Sequence, residues 1–310
     1  MTPESHQQLL AALMNQLAAQ HSGETPTLIQ THISSVILIG SDAYKIKRPV
    51  RFSFVDFSTL ENRRFFCHEE LRLNARTAPE LYLEVLPVTG SQQGPQLGGQ
   101  GPVLEWALHM KRFPEEGVLS RQARLGRLTL EKMDLLAQHL AHFHSSLPEL
   151  NESQLAQFSD MAGRVTDNLS ELAPLLAAQK IDFFDFEALA QSLNLWAKAC
   201  DVAMPQRKQQ GFFRECHGDL HLANLVEIDG RLLAFDAIEF DPGLRCIDVI
   251  NDLAFAFMDL LAFDQTEHAW RLVSSYLELT GDYEGLALLK GYAANRALIR
   301  AKVTLLSGGP

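Results

Sequence analysis

The hydrophobic pattern of this chain changes near residue 112, and that change limits the folds it can adopt. Before it, short runs rich in apolar and β-branched residues are separated by turn residues, which predicts strands. After it, apolar residues recur at intervals of three and four, as between Met133 and Leu147, which predicts amphipathic helices. We therefore expect an α+β protein with residues 1–112 forming a small mixed sheet and residues 113–310 a larger, mainly helical part.

One prominent helix is predicted inside the sheet-forming part, from about residue 59 to 77. Ser58 and Glu61 have the spacing of an N-terminal capping box, and Pro79 follows the predicted end. A further amphipathic helix is predicted at the N-terminus. The first 112 residues are therefore expected to combine a sheet with one internal helix that faces it.

The charge balance bears on the choice of partner. The 310 residues include 38 acidic and 27 basic side chains, giving a net charge of -11 and a pI of about 5.5. A negative field repels phosphate backbones, so neither nucleic acid nor an anionic membrane is expected as the main partner. A small neutral or cationic molecule fits better, although the charge is equally explained by solubility alone.

Cysteine spacing and the N-terminus bear on location. The four cysteines form no CxxC pair, so neither a disulfide framework nor a zinc finger is predicted. The N-terminal segment lacks the basic and apolar regions of a signal peptide, and acidic residues or asparagine interrupt the most apolar run, residues 250–263. A soluble, cytoplasmic protein is the expectation.

Residues 215–240, ECHGDLHLANLVEIDGRLLAFDAIEF, hold the densest group of ionisable side chains. Asp229 and Gly230 are a favoured pair for a type I′ hairpin turn, with short apolar strands on either side. Counting outward from that turn places Asn224 beside Asp236, and a tight loop could bring Asp219 to the same end. Two oxygen ligands next to a free carboxylate are what metal-assisted phosphoryl transfer requires.

Two other interpretations fit parts of this stretch. His217, Asp219 and His221 alternate, so on one strand they would form a zinc or two-metal cluster. Gly218 weakens a strand there, and no second metal-binding cluster occurs in the sequence. Alternatively, these are loop residues that satisfy backbone groups. Phosphoryl transfer is the interpretation that the combined spacing favours.

Taken together, HGDLHLAN, AFDAIEF and CIDVINDLAF resemble the core motifs of the aminoglycoside phosphotransferase-like kinases, which have a bilobal protein-kinase-like fold. The resemblance extends to residues 31–64, 69–85 and 292–303, and so covers nearly the whole chain. It is to a bacterial branch often fused to a C-terminal P-loop ATP-binding domain, although no GxxxxGK[ST] pattern occurs in these 310 residues.

The resemblance implies roles for the residues of the motif. Asp219 matches the catalytic base, and Asn224 and Asp236 match the two Mg²⁺ ligands. His217 is expected to brace the catalytic loop, with His221 in a supporting role. Asp252 matches an acid that anchors this loop in the family.

The resemblance also implies a lysine that grips the phosphates of ATP. Lys45 shares a strand face with the small residue Ala43, as expected for such a lysine, and Lys47 on the same face is the alternative. Its carboxylate partner should be Glu70, which lies on the apolar face of the predicted helix, whereas Glu69 aligns with arginines on a solvated face.

The phosphate-binding loop departs from the pattern of the family. Where kinases carry a glycine-rich loop, this chain has THISS, so Ser34 and Ser35 are the predicted phosphate ligands. Lys111 is a further predicted nucleotide-binding residue. The departure leaves the choice between ATP and GTP open.

The leading hypothesis is an ATP- and Mg²⁺-dependent kinase acting on a hydroxyl of a small molecule, such as an aminoglycoside, a sugar or an amino alcohol. A non-catalytic nucleotide-binding regulatory module is a second hypothesis, motivated by the missing glycines. A kinase acting on protein Ser/Thr is a third. The acceptor and the oligomeric state do not follow from the motif.

Overall fold

The computed structural model describes residues 2–52, 55–156, 160–181 and 185–306. These form two compact units. The first comprises the chain up to Gly117 together with Leu233–Asp241, and the second comprises Val118–Leu232 and the described chain from Pro242 onward. The first unit thus extends beyond residue 112 and takes in a segment that lies far along the sequence.

The first unit contains a sheet and two long helices. In chain order its elements are α1 (Pro3–Gln20), β1 (Thr27–Gln30), β2 (Ser34–Ile39), β3 (Asp42–Lys47), β4 (Arg51–Phe52), β5 (Val55–Asp56), α2 (Leu60–Asn74), β6 (Tyr82–Ser91), β7 (Gly94–Leu97) and β8 (Val103–Lys111). Six of the strands form one sheet in the order β1-β2-β3-β8-β6-β7. All pairings in this sheet are antiparallel, so the predicted mixture of strand directions is wrong.

The sheet places Lys45 near its middle. In the register of the strands, Lys45 of β3 lies between Val36 of β2 and Leu108 of β8. Successive side chains of a strand point to opposite faces, so Lys45 shares its face with Ala43 and Lys47. The structure thus has the strand and the shared face that the alternation of residues 43–47 predicted.

The α2 helix begins one residue later than the capping pattern predicted. Thr59, rather than Ser58, is the N-cap, and its side chain accepts a hydrogen bond from the Asn62 N–H at 3.1 Å. Ser58 instead hydrogen-bonds to the carboxylate of Asp56. Both residues are good caps, so their order could not be decided from composition. The helix ends at Asn74, three residues before the predicted end.

The α1 helix covers the sheet with an apolar stripe. Leu9, Leu10, Leu13 and Leu17 are fully buried in one core with residues of the strands. Spacings of one, three and four residues put these leucines on a single helix face, as predicted for an amphipathic N-terminal helix. The stripe begins next to His6, which is 1% exposed and whose Nε2 lies 3.4 Å from Ser35 Oγ.

His6 is expected to make the stability of the protein sensitive to mild acid. Burial, reinforced by the charges of Arg63 and Arg48, lowers the pKa of His6 from 6.5 to about 4. Between these values the unfolded chain binds the proton more readily than the folded chain. The free energy of unfolding should therefore fall as the pH drops from 6.5 to 4, by roughly 1 kcal/mol per pH unit.

Chemical denaturation from pH 7 to pH 4 measures this effect. A His6→Gln variant should lose less stability over this range than the wild type does, whereas replacing the exposed His142 by Gln should leave the pH dependence unchanged. Equal pH dependence in the wild type and His6→Gln would refute the prediction.

The second unit is mainly helical. Its elements, with one strand shared with the first unit, are α3 (Leu119–Arg124), α4 (Leu130–Ser146), α5 (Glu152–Ala156), α6 (Met161–Ala178), α7 (Phe186–Gln209), β9 (Phe213–Glu215), β10 (Leu225–Ile228), β11 (Arg231–Ala234), α8 (Pro242–Arg245), β12 (Cys246–Asp248), α9 (Val249–Ala262), α10 (Thr266–Thr280) and α11 (Leu286–Leu306). The α+β class and the mainly helical C-terminal part are therefore confirmed. None of the helices in the described ranges is long and apolar enough to span a bilayer.

The helix α9 is the centre of the second unit. From Val249 to Leu260 every residue is buried, as expected for a helix that is apolar on most of its faces. Three polar side chains, Asn251, Asp252 and Asp259, are buried with it. A buried polar side chain is costly unless it is hydrogen-bonded, and all three bond to the loop after β9 or to a residue that holds that loop.

Candidate active site

The first unit buries a lysine between two carboxylates. Lys45 Nζ lies 2.7 Å from Glu70 Oε1 and 2.5 Å from Asp236 Oδ1. Lys45 comes from the middle of the sheet, Glu70 from the buried face of α2, and Asp236 from the segment after β11. The predicted contact between Lys45 and Glu70 is present, while Glu69 pairs with Arg72 on the other face of the helix.

A second lysine extends this cluster inward. Lys47 Nζ lies 2.7 Å from the other oxygen of Glu70 and also pairs with Glu239. The two lysines differ in access, because the Lys45 side chain is 13% exposed and that of Lys47 is 1% exposed. Between the two predicted candidates, Lys45 is therefore the one that a ligand could reach, and Lys47 is enclosed.

The charges in this cluster stabilise one another. Burial raises the pKa of Glu70, but the two lysines outweigh it and hold the pKa at about 2. Burial lowers the pKa of Lys45, but the surrounding carboxylates, led by Asp236 and Glu70, hold it well above its ordinary value. Both groups are therefore charged at neutral pH. Asp236 is the open end of the cluster, with its side chain 44% exposed.

The predicted phosphate ligands of β2 lie inside the first unit. Ser34 and Ser35 are 2% and 0% exposed, and the Ser34 N–H donates to Thr31 Oγ1 at 3.0 Å. The hydroxyl of Ser35 accepts a hydrogen bond from the Gln30 side chain at 3.2 Å. In this conformation neither hydroxyl faces solvent, which is a departure from the expected geometry. Lys111 is exposed at the end of β8, opposite Asp42.

In the second unit, Asp219 lies in a tight loop between β9 and a short 3-10 helix, Leu222–Asn224. The Asn224 side-chain amide donates both to the main-chain oxygen of Asp219 at 2.9 Å and to its Oδ2 at 3.0 Å. His221 Nε2 lies 3.4 Å from the same Oδ2. Asp219 Oδ1 has no partner among the described residues, and the side chain is 34% exposed.

Burial raises the pKa of Asp219, but the hydrogen bond and electrostatic attraction of His221, aided by other nearby basic groups, lower it below its ordinary value. The carboxylate is therefore ionised at neutral pH. An ionised carboxylate with one oxygen fixed and the other open can accept a hydrogen bond from a hydroxyl and orient it.

The start of this loop is fixed by Asp252 of α9. The carboxylate accepts hydrogen bonds from the His217 N–H at 3.0 Å and the Gly218 N–H at 2.8 Å. Gly218 has φ +86°, and a Cβ there would lie 2.9 Å from the Leu244 carbonyl oxygen, so the turn requires glycine. Asp252 thus makes the anchoring contacts that the resemblance implied.

Asp252 is itself held by a histidine. His144 Nε2 lies 3.2 Å from Asp252 Oδ2, and His144 Nδ1 lies 2.8 Å from Tyr276 Oη. Burial raises the pKa of Asp252, but the hydrogen bond and charge of His144, together with the charge and backbone N–H of His217, outweigh it and lower the pKa to about 2. A permanently ionised Asp252 keeps both loop hydrogen bonds strong.

Comparison with known proteins first gives relatives that are similar in sequence. No protein-family model matches the chain. Uncharacterized proteins of Mycobacterium tuberculosis and Mycobacterium bovis are 29% identical over 277 residues, which cover 88% of this chain and 53% of each relative. The chain thus spans about half the length of the curated relatives it matches.

Solved structures of kinases are similar over most of the chain. A thermostable mutant of an aminoglycoside phosphotransferase gives a TM-score of 0.52 at 13% identity, covering 95% of this chain and 92% of that one. Choline kinase from Cryptosporidium parvum gives 0.51 at 11% identity over 96% and 88%. Glucosamine kinase in complex with glucosamine, ADP and inorganic phosphate gives 0.50 at 14% identity over 91% and 72%. The chain has the aminoglycoside phosphotransferase fold.

The zinc interpretation of the 217–221 stretch is not supported by the hydrogen bonds of its two histidines. His217 Nδ1 accepts from the Asp219 N–H and His221 Nδ1 accepts from the Ala223 N–H, so both rings brace the loop. The one group of metal-ligand type among the described residues is His144, Cys216 and Asp252. Its His144 and Asp252 atoms are already hydrogen-bonded, as a loop anchor requires.

The hairpin predicted at Asp229 and Gly230 is present in the structure. β10 and β11 form a two-stranded sheet, and Asp229 and Gly230 both have positive φ, at 49° and 74°, as a type I′ turn requires. The chain passes from the second unit to the first within β11. That Asn224 and Asp236 lie side by side stays a prediction.

Sequence reasoning missed several residues that hold the candidate site. Tyr82 and Asn74 contact the Asp236 segment, His144 holds Asp252, and Arg296 donates to the Gly218 carbonyl oxygen at 3.1 Å. Asn74 could have been found, since it lies four residues after Glu70 on the same helix face. The other three come from distant elements, and no local pattern indicates them.

Proposed function

We propose that this chain transfers the γ-phosphate of ATP to a hydroxyl group of a small molecule. The observation that carries the proposal is the contact of Lys45 with both Glu70 and Asp236 in a chain of the phosphotransferase fold. A lysine fixed by a helix carboxylate, beside an acid suited to a metal, is the arrangement that binds nucleotide phosphates in kinases. Partial access to Lys45 and the open end at Asp236 agree with this role.

In this proposal each residue has a distinct task. Lys45 binds phosphate oxygens, and Glu70 holds Lys45 in place. Asp219 accepts a hydrogen bond from the acceptor hydroxyl through its open Oδ1, orients it for in-line attack on the γ-phosphorus, and takes its proton. As the new bond to phosphorus forms, the bond from the γ-phosphorus to the β,γ-bridging oxygen breaks and ADP leaves. His217 and His221 keep the Asp219 loop in shape.

Asp236 and Asn224 are the residues that would hold Mg²⁺. Each has an oxygen without a partner among the described residues, because Lys45 contacts only Oδ1 of Asp236 and the Asn224 amide uses only its nitrogen. A carboxylate and an amide oxygen are ligands that Mg²⁺ prefers, so the donor set fits. When bound, the ion would neutralise charge on the phosphates.

The acceptor class is proposed from chemistry alone. The similar solved structures include kinases of glucosamine and choline, and both of these molecules carry a hydroxyl and a nitrogen centre. The net charge of -11 favours a cationic acceptor over an anionic one. We therefore propose an amino sugar or amino alcohol as the acceptor class, with ATP as the donor and GTP as the alternative.

An acceptor screen tests the proposal. The purified chain is incubated with ATP and Mg²⁺ and a panel of amino sugars, amino alcohols and neutral sugars, and both ADP and the phosphorylated product are measured. Acceptor-dependent ADP formation with matching product is the expected result. Nucleotide binding without transfer to any acceptor would instead support a regulatory module, which the buried Ser34 and Ser35 favour. Phosphate found only on a protein would favour a protein kinase.

A further inference from the structure

Asp236 adopts a backbone conformation that needs support. Its φ is +63°, in the left-handed region that is unfavourable for a residue with a Cβ. Such conformations persist where neighbouring groups fix them, and they concentrate at functional sites. In this conformation the Asp236 side chain is in contact with Lys45.

Two buried side chains hold the peptide groups on either side of this turn. The Asp236 N–H donates to Tyr82 Oη at 3.0 Å, and the next N–H, of Ala237, donates to Asn74 Oδ1 at 2.9 Å. Tyr82 is 5% exposed and Asn74 is 0% exposed. Two consecutive main-chain groups are therefore satisfied by side chains from β6 and α2 rather than by water.

Asn74 also connects this turn to the partner of Lys45. Its side-chain nitrogen donates to the Glu70 carbonyl oxygen at 2.8 Å, while its oxygen accepts from Ala237. Near the end of α2, Thr77 Oγ1 donates to the Ala234 carbonyl oxygen at 2.7 Å. The end of α2 that follows Glu70 thus holds the Asp236 segment on both sides of the turn.

We infer that Tyr82 and Asn74 are positioning residues that fix Asp236 as a metal ligand and set its distance from Glu70. The inference rests on the proposed function, since it concerns the residue that would bind the metal. Neither side chain touches the carboxylate of Asp236, so both act through its main chain. Without the Tyr82 hydroxyl, the Asp236 N–H loses its partner and the turn can relax, which moves the carboxylate.

Tyr82→Phe is the sharpest variant, because it removes one oxygen from a buried ring and leaves the packing in place. Its matched control is Tyr44→Phe, in β3 of the same sheet, whose ring stacks on His109. Binding of Mn²⁺ in the presence of ADP, measured by electron paramagnetic resonance, needs no acceptor and reports on the metal site directly. Groups that orient metal ligands typically change metal affinity by about 10–100-fold when removed.

The expected result is a Mn²⁺ affinity about 10–100-fold weaker in Tyr82→Phe, with unchanged affinity in Tyr44→Phe and unchanged binding of ADP alone. Asn74→Ala should weaken Mn²⁺ binding in the same direction. Equal Mn²⁺ affinity in Tyr82→Phe and the wild type overturns the inference. So does a loss of Mn²⁺ and ADP binding in parallel with a lower unfolding temperature, because that pattern indicates a general structural role.

Failure of the proposed function would give results that differ from those that overturn the positioning inference. If the wild type binds Mn²⁺ with ADP but phosphorylates none of the acceptors, the phosphotransferase proposal fails while the Tyr82→Phe comparison still decides the positioning role. If the wild type transfers phosphate, the Mg²⁺ concentration for half-maximal rate should rise in Tyr82→Phe, and excess Mg²⁺ should restore the rate.

Discussion

Replacing Asp219 with asparagine is expected to lower the rate of phosphoryl transfer by about 10²–10⁴-fold, the usual contribution of a general base. Asparagine preserves the size of the side chain, but it cannot take the proton of the acceptor hydroxyl. The KM for ATP should change little, because Asp219 is assigned to the acceptor and not to the nucleotide. Steady-state ADP formation at saturating acceptor, with product confirmed by mass spectrometry, measures the effect.

Asp229→Asn provides the matched control for this experiment. It makes the same chemical change ten residues away, at an exposed position of the hairpin turn where Asn-Gly is as favourable as Asp-Gly. Its rate and unfolding temperature should equal those of the wild type. If Asp219→Asn also transfers phosphate at the wild-type rate, Asp219 is not the base, and the proposed mechanism is wrong.

Lys45→Met is expected to reduce mainly the activity, and Lys47→Met mainly the stability, of the protein. Loss of Lys45 should lower the rate of transfer by about 10²–10³-fold, as loss of one preorganised charge-stabilising group does. Glu70 would keep its contact with Lys47. We therefore expect a large loss of transfer rate with only a small decrease in the free energy of unfolding. Loss of Lys47 should instead destabilise the protein by about 3–5 kcal/mol, because it leaves the buried Glu239 without its lysine partner.

Denaturant unfolding and ADP formation, measured on both variants, separate the two roles. Trp106 is the one tryptophan of the first unit, so its fluorescence in a Trp196→Phe, Trp270→Phe background follows unfolding there. The exposed Lys198→Met in α7 controls for loss of a positive charge and should change neither quantity. A stable Lys47→Met protein that has lost transfer would reverse the assignment of the two lysines.

Parts of the fold and the candidate site followed directly from local sequence. The Asp229-Gly230 pair predicted the hairpin because only a few residue types accept positive φ at both turn positions. Glu70 could be chosen over Glu69 because helical spacing puts it on the apolar face of α2. In both cases the deciding interaction lies within a few residues of the chain, where pattern and geometry are linked.

Other features depended on contacts between distant segments. The antiparallel order of the sheet is set by how β8 and β6 return beside β3, and no residue pattern in short strands encodes that direction. The support of Asp236 by Tyr82 joins residues 154 positions apart. The burial of Ser34 and Ser35 depends on α1 and β1 packing around them. Such contacts arise from the tertiary arrangement, which a single sequence does not display.

The assignment of Leu233–Asp241 to the first unit has a consequence for how the protein folds as it is synthesised. The ribosome makes Lys45, Lys47 and Glu70 more than 160 residues before Asp236 and Glu239. Until that segment arrives, two lysines share a single buried carboxylate, which leaves an excess positive charge where burial is costly. The nascent N-terminal sheet should therefore stay open to water around Lys45, Lys47 and Glu70. Its last folding step should wait until residue 241 has left the exit tunnel.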